Sequence, residues 1–311
     1  MAIQVIGLNP AVDVEWRVDR VNWNEKTVVQ SARSWAGGKP PNVARWISYL
    51  GGNIRLVMPL GGSSGALVAE EMRASGVDLA EVPIAEDTRT NVMVTQKVGQ
   101  QLRFNPQGPR LARKEWIRVF AEAEAGFAEC DLTILSGSLP RAAPKSTYAR
   151  LIGVGNRAGG RMVLDCDGPA FAAGVKARPF LVKPNRFELS LWAERPLKNE
   201  KQIRIAAEEL SMASGAWVFV SLDSGGAILV NAAEGFRAKA TAPRVRALNE
   251  VGAGDALLAQ VGMRIEQGAD PEEWLKWGVA TGTSFVQVAA GKRPGFGLIG
   301  KTAKQVAVRA F

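Results

Sequence analysis

The sequence predicts an α/β protein: a mostly parallel sheet covered by helices, with a small second sheet projecting from it. Three observations carry this expectation. Short apolar runs of strand length alternate with longer runs of helical periodicity, the pattern of successive βα units. Two stretches, Val12–Ala36 and Thr90–Phe104, break that rhythm by alternating polar and apolar residues with no helix between. The chain has 311 residues, 47% of them hydrophobic and 22% charged, enough for one large α/β unit with an insertion.

The elements follow in order. Ile3–Leu8 is a short apolar strand. Asn42–Leu50 is helical, with Val43, Trp46, Ile47 and Leu50 on one face. Ile54–Leu60 reads as a strand and Ala66–Ala74 as a helix. Leu132–Leu135 is a buried-type strand, Lys145–Arg157 a helix, and Met162–Asp165 and Phe180–Val182 short strands. Gln202–Ala213 is a helix, and Trp217–Leu222 and Ala227–Val230 are strands. Two helices, near Ala256–Glu266 and Pro271–Val288, close the chain. The two irregular stretches read as exposed antiparallel strands that form a lid or an interface. With no linker or internal repeat, residues 1–311 are expected to be one unit, with lid strands inserted at about 12–36 and 88–105.

Composition excludes whole classes of chemistry. There is no histidine, so Ser-His-Asp and Cys-His catalysis and His-based metal sites are ruled out. Proton transfer must rest on Asp, Glu, Lys, Tyr or Cys. Two cysteines, Cys130 and Cys166, cannot make a disulfide framework, which suits a reducing cytoplasm. No apolar run is long enough to span a bilayer, and Met1–Ile6 reads as a first strand rather than a signal peptide. The net charge of +9 is spread over scattered residues, the pattern of a solvated basic surface that steers anions, not of a nucleic-acid site.

The most informative segment is Asn249-Glu250-Val251-Gly252-Ala253-Gly254-Asp255, running into Ala256-Leu257-Leu258-Ala259. It reads as a small-residue loop turning into a helix. Gly252, Ala253 and Gly254 let backbone N–H groups close on an anion, and the helix dipole favours negative charge there. Asp255, in the first turn, is placed to take a proton from a hydroxyl attacking that anion, as phosphoryl transfer to an alcohol requires. An Asp favoured near a helix start is the plainer alternative. Further segments lie after strands. Gly37 and Gly38 permit close approach, Lys39 beside a helix start suits a phosphate, and Asn42 is a good N-cap. Asp13 follows the first strand, where it accepts sugar hydroxyls or is an ordinary turn residue. Asn185 and Glu188 share a helical face, suited to hydrated Mg²⁺ or to a capping box. Ser221–Gly226 is a hairpin turn, or lies against a nucleotide. Gly295–Thr302 matches the P-loop pattern but is rejected: nine residues follow it, with no strand to supply a Mg²⁺-holding Asp.

Taken together, the segments Leu8–Asp13, Gly37–Asn42, Thr88–Asn91, Ser136–Pro140, Lys183–Glu188, Ser221–Gly226 and Gly252–Asp255 resemble the PfkB family of carbohydrate kinases, in its phosphosugar branch. They run in the family's order over nearly the whole chain. The resemblance implies a ribokinase-like fold, helices on both faces of the sheet, and a β-lid that pairs subunits into a homodimer. It implies ATP and Mg²⁺ as cofactors and leaves K⁺ open. It makes Asp255 the catalytic base and Gly252, Ala253 and Gly254 the anion hole. Asp13, Gly37, Gly38, Asn42 and Ser138 fall on the sugar side, with Lys39 and Arg89 toward the sugar phosphate. Lys183, Ser221, Asp223, Gly225 and Gly226 fall on the nucleotide side, and Asn185 and Glu188 reach Mg²⁺ through water.

Four departures stand out: Pro40 and Asp223 where Gly is commoner, Glu250 where Pro or Thr is usual, and Asp165-Cys166-Asp167-Gly168 for Asp-Thr-Ser-Gly. The expected activity is an ATP-dependent kinase of a ketohexose phosphate: fructose 6-phosphate, fructose 1-phosphate or tagatose 6-phosphate. The alternatives are a kinase of an unphosphorylated sugar or nucleoside, and a sugar- or nucleotide-binding regulator without turnover. Neither a nucleic-acid nor a membrane partner is expected.

Overall fold

A computed structural model describes residues 2–97, 99, 101–289 and 291–311. Val98 and Gln100, inside the second expected lid stretch, lie outside the described residues, as do Met1 and Ala290. The main sheet takes its strands from β1 (Ile3–Ile6), β4 (Ile54–Leu60), β5 (Asp78–Pro83), β8 (Leu132–Ser136), β9 (Arg161–Asp165), β10 (Leu181–Val182), β11 (Trp217–Ser221), β12 (Ala227–Asn231), β13 (Phe236–Thr241) and β14 (Ala307–Ala310). The second sheet is built from β2 (Ala11–Val18), β3 (Val29–Gly37), β6 (Arg89–Gln96) and β7 (Gln101–Phe104). The helices are α1 (Lys39–Tyr49), α2 (Gly62–Ala74), α3 (Arg113–Glu129), α4 (Thr147–Arg157), α5 (Gly168–Val175), α6 (Arg186–Trp192), α7 (Glu200–Ser214), α8 (Ala253–Glu266), α9 (Pro271–Val286) and α10 (Phe296–Ala303).

Among the described residues the main sheet runs β14-β13-β12-β11-β10-β9-β8-β1-β4-β5. It is parallel from β11 to β5 and antiparallel from β11 to β14. Period-two alternation divides its side chains between two cores. Val5, Leu56, Met58, Ile134 and Phe219 face α1, α8 and α9, whereas Ile6, Val57, Leu135, Val218 and Val220 face α3, α4 and α7. Both faces are thus covered, which is why these strands read as continuous apolar runs.

The lid corrects one expectation. β2 pairs β3, and β6 pairs β7, antiparallel as expected, but β2 and β6 pair in parallel, so the lid order is β3-β2-β6-β7. The physical reason is connectivity. The chain returns through α1, β4, α2 and β5 before starting β6, and only such a long crossover delivers a parallel neighbour.

Three further differences lie in the elements. α1 begins at Lys39 with Gly38 (φ 85°) as its N-cap, so Asn42 is inside the helix rather than capping it. Pro40 and Pro41 extend the helix forward, because proline costs little in a first turn where N–H groups have no intrahelical partner. β5, α3, α5 and β13 add to the expected elements, and the chain closes on α10 and β14, not on two helices. α10 also carries the rejected P-loop match. It follows α9 rather than a strand, Lys301 is exposed in its last turn, and the Thr302 hydroxyl donates to the Leu298 carbonyl at 2.9 Å.

Candidate active site

The site lies outside the carboxyl ends of β1, β8, β9, β10 and β11, where ligands bind in open α/β sheets. At its centre, the chain turns into α8 through Gly252, whose φ of 97° is a left-handed conformation that suits glycine. Ala253, Gly254 and Asp255 form the first turn, and no side chain caps the helix. A Cβ on Gly254 would meet nothing within 4 Å, so open space lies over an amide that has no intrahelical acceptor.

Asp255 is 7% exposed, and its Oδ2 accepts a 2.8 Å hydrogen bond from Asn42 Nδ2. Burial raises its pKa, and the nearby Asp165 carboxylate raises it further. Lys39, Asn42 and Lys183 oppose them, and the balance holds it at about 6 rather than 3.8.

Asp13, on β2, stands opposite Asn91 in the β2–β6 register, and Asn91 Nδ2 donates to Asp13 Oδ1 at 2.7 Å. Gly37 faces the same carboxylate closely: a Cβ there would lie 2.1–2.5 Å from Asp13 carboxyl atoms. Arg89, at the root of β6, donates to the Pro106 carbonyl (2.8 Å) and the Asn9 carbonyl (3.1 Å), with Ser138 Oγ 3.5 Å away. Asn9 Nδ2 holds the same Ser138 Oγ at 3.1 Å. The Arg89 Nε is buried with no partner among the described residues. Pro40 packs on the end of β1, its Cβ 2.3 Å from where a Gly7 Cβ would be.

Beneath the site lies a charged cluster. Asp165, fully buried at the end of β9, pairs with Lys39 Nζ and Lys183 Nζ, each at 3.1 Å, and accepts from Ser136 Oγ at 3.3 Å. Lys39 Nζ also lies 3.7 Å from Glu188 Oε1. Burial disfavours the Lys39 charge, but Asp165, Glu188 and Asp255 outweigh it and raise its pKa. Burial likewise disfavours the Asp165 carboxylate, yet Lys183 and Lys39 hold its pKa below the usual value. Asn185 and Glu188 form the capping box of α6, each side chain bonded to the other's backbone N–H at 2.8 Å. Ser221–Gly226 is the hairpin between β11 and β12, and Ser221 bridges to Asn185. Asp223 occupies a left-handed φ of 49°, which Asp tolerates better than most residues.

A family model described as pfkB family carbohydrate kinase matches residues 4–294. The chain belongs to the pfkB family of carbohydrate kinases. It is therefore a phosphotransferase with an alcohol acceptor. It is 33% identical over 261 residues to a 1-phosphofructokinase of Rhodobacter capsulatus, covering 83% of this chain and 82% of that one. It is 28% identical over 277 residues to a tagatose-6-phosphate kinase of Staphylococcus epidermidis, covering 88% of each. Escherichia coli phosphofructokinase-2 in complex with substrates and products superimposes with a TM-score of 0.88 at 28% identity, over 98% of this chain and 99% of that one. The same protein in complex with potassium gives 0.90 at 27% identity, over 98% of each chain.

In this pfkB kinase the fold brings Lys39 and Lys183 onto Asp165, sets Asp255 near that cluster with Asn42 bonded to it, and places Asn185 against Ser221. Asp13, Gly37 and Arg89 gather where the lid strands leave the main sheet. Asp165, Arg45, Asn91 and Asn9 had no assigned role in the sequence. For Asp165 a signal existed: it ends an expected strand on the ligand side of the sheet. Arg45 gave none, because its partners come from two other elements.

Proposed function

We propose that this pfkB kinase transfers the γ-phosphoryl group of ATP to a hydroxyl of a ketohexose phosphate, with Asp255 as general base. The observation that carries the reading is Asp255 itself: a buried carboxylate, with pKa about 6, in the first turn of α8, a helix start that no side chain caps. As the hydroxyl oxygen bonds to phosphorus and the bond to the ADP oxygen breaks, Asp255 takes the hydroxyl proton. The Gly252–Gly254 amides meet charge on the transferring group. Asp13, Gly37, Gly38, Asn42 and Ser138 line the sugar side. Lys183 and Ser221–Gly226, with Asp223, Gly225 and Gly226, line the nucleotide side. Among the described residues no group of three or more Cys, Asp or Glu is placed to hold a metal unaided. A Mg²⁺ ion suits such a site when phosphates and water supply most of its ligands, and Asn185 and Glu188 would hold it through water. When bound, it neutralises phosphate charge.

The phosphosugar assignment is supported by Arg89, whose Nη2 lies 3.5 Å from Ser138 Oγ and whose Nε has no partner among the described residues, and by the substrates for which the relatives are named. A second reading, an unphosphorylated sugar, is favoured by Lys39, whose charge is already balanced by Asp165 and Glu188. A coupled ADP-release assay across fructose 1-phosphate, fructose 6-phosphate, tagatose 6-phosphate and the free sugars tests the two, run in K⁺ and in Na⁺ buffer. The proposal expects turnover on at least one phosphate; turnover confined to free sugars overturns it.

The lid is read as closing over the sugar to exclude water and as the surface that pairs two copies. Both cysteines are buried free thiols, in keeping with a cytoplasmic protein. No helix among the described residues is long and apolar enough to cross a membrane.

A further inference from the structure

We propose that Arg45 is a positioning residue for Asp255: it clamps the Asn42 amide in the one orientation that donates to the carboxylate, and ties that amide to the root of lid strand β3. The proposal rests on the reading of Asp255 as the base.

Asn42 and Arg45 are three residues apart on α1, hence on one face. The Asn42 amide has a different neighbour at each end. Its Nδ2 donates to Asp255 Oδ2 at 2.8 Å, and its Oδ1 accepts from Arg45 Nη2 at 2.9 Å. Turned over, the amide would set oxygen against the carboxylate and NH₂ against the guanidinium, losing both bonds. Arg45 therefore selects the orientation that Asp255 needs.

The other contacts of Arg45 lead into the lid. The same Nη2 donates to the Ala36 carbonyl at 2.7 Å. Glu71 Oε2, on α2, accepts from the Ala36 N–H at 2.8 Å and lies 3.5 Å from Arg45 Nη1. Ala36 is the penultimate residue of β3, so both its backbone polar groups are held by this pair. A shift of β3 at its root must move Arg45 or break its bond, and either disturbs Asn42.

Charges around the relay support a directed bond rather than a bare electrostatic effect. Glu71 is the strongest charge facing Arg45, with Arg293, Asp13 and Asp255 beyond it. Asp255 faces Asp165 on β9, Lys39 and Asn42 on α1, and Lys183 after β10. With Glu71 compensating the guanidinium, what reaches Asp255 from this side is mainly the Asn42 N–H.

The test is a double-mutant cycle of Arg45→Met with Asn42→Ala, read as kcat, KM for each substrate, and the pH profile of kcat/KM. Losing the oriented donor should lower kcat about tenfold or more and raise the acid limb by about one unit, with KM for ATP within about twofold. In the Asn42→Ala background, Arg45→Met should add little. Arg45→Lys keeps the charge but not the fork, and should behave as Arg45→Met does; it also carries the test if Arg45→Met fails to fold. Additive losses with an unmoved acid limb, or wild-type behaviour of Arg45→Lys, overturn the proposal. Asp255→Asn is run alongside. If it keeps turnover, the base assignment falls and the relay with it. If it is inactive while Arg45→Met matches wild type, only the relay falls.

Discussion

Burial sets two demands on Asp255 in opposition: the base proposed above has to be ionised to take a proton, and the protein interior resists its charge. A pKa of about 6 places the acid limb of kcat/KM near pH 6, with activity lost as pH falls through it. The same shift reverses the usual stability trend. Between about pH 4 and pH 6 the folded chain binds a proton at Asp255 that the unfolded chain has released, so this group destabilises the fold as pH rises. The rise from 3.8 to about 6 is roughly two units, on the order of 3 kcal/mol at neutral pH. Asp255→Asn is expected to raise the thermal midpoint at pH 7.5 while removing turnover, and thermal melts of both proteins at pH 5 and pH 7.5 check it. An unchanged or lowered midpoint at pH 7.5 contradicts the burial penalty. Arg89→Ala is expected to raise KM for the phosphosugar about ten- to a hundredfold, with little change in KM for ATP. Equal losses on phosphorylated and free sugars would remove Arg89 as the phosphate reader. Asp255 and Arg89 could be singled out in sequence because short motifs carry them, and the fold places both at the ligand end of the sheet. Arg45 was not legible, since its role depends on a backbone carbonyl of β3 and a carboxylate of α2 that only the fold brings to it, and Asp165 gave only its place at the end of an expected strand.

At the scale of elements, the helix N-termini do the positioning. α8 starts without a side-chain cap because Gly252 takes a left-handed φ; Ala253 and Asp255 donate to the Glu250 and Gly252 carbonyls, and Gly254 carries the amide left for a ligand. α1 starts behind another glycine of positive φ, Gly38, but its first turn holds Pro40 and Pro41, which have no N–H to offer. Its start was misread in the sequence because Asn42 is a favoured cap residue, whereas two prolines carry the helix back to Lys39. Next to it, Gly37→Ala should push the Asp13 carboxylate aside, because the new methyl would overlap it. Steady-state kinetics should show KM for the sugar rising at least tenfold, by the loss of a hydrogen bond to a charged group; unchanged KM would mean that Asp13 does not read the sugar. α10 supplies the opposite control. Lys301→Ala should leave ATP affinity within about twofold by calorimetry, because a true P-loop lysine would contact phosphates and this one is in solvent. A large loss of affinity in a folded variant would move the nucleotide site.

The whole molecule is a doubly covered sheet with a second sheet standing at its ligand edge. Alternation of strands and helices made the first part legible. The parallel pairing of β2 and β6 was not, because it is decided by a connection of about seventy residues and not by local pattern. The lid leaves large apolar side chains in solvent: Trp23 is 81% exposed, Val28 70% and Phe104 56%. Such a patch fits a surface that is covered by another copy. Sedimentation of the wild type and of Val28→Glu should show a dimer that the substitution weakens; a wild-type monomer at micromolar concentration would sink this reading. The most direct measurement is a ³¹P NMR time course of the wild type and Asp255→Asn with ATP, Mg²⁺ and the ketohexose phosphate that the wild type prefers. The wild type should form a bisphosphate and ADP, with Asp255→Asn slower by about 10²–10⁴-fold at unchanged substrate binding. Product formation by the variant at more than roughly a third of the wild-type rate, well outside that range, would show that Asp255 is not the base.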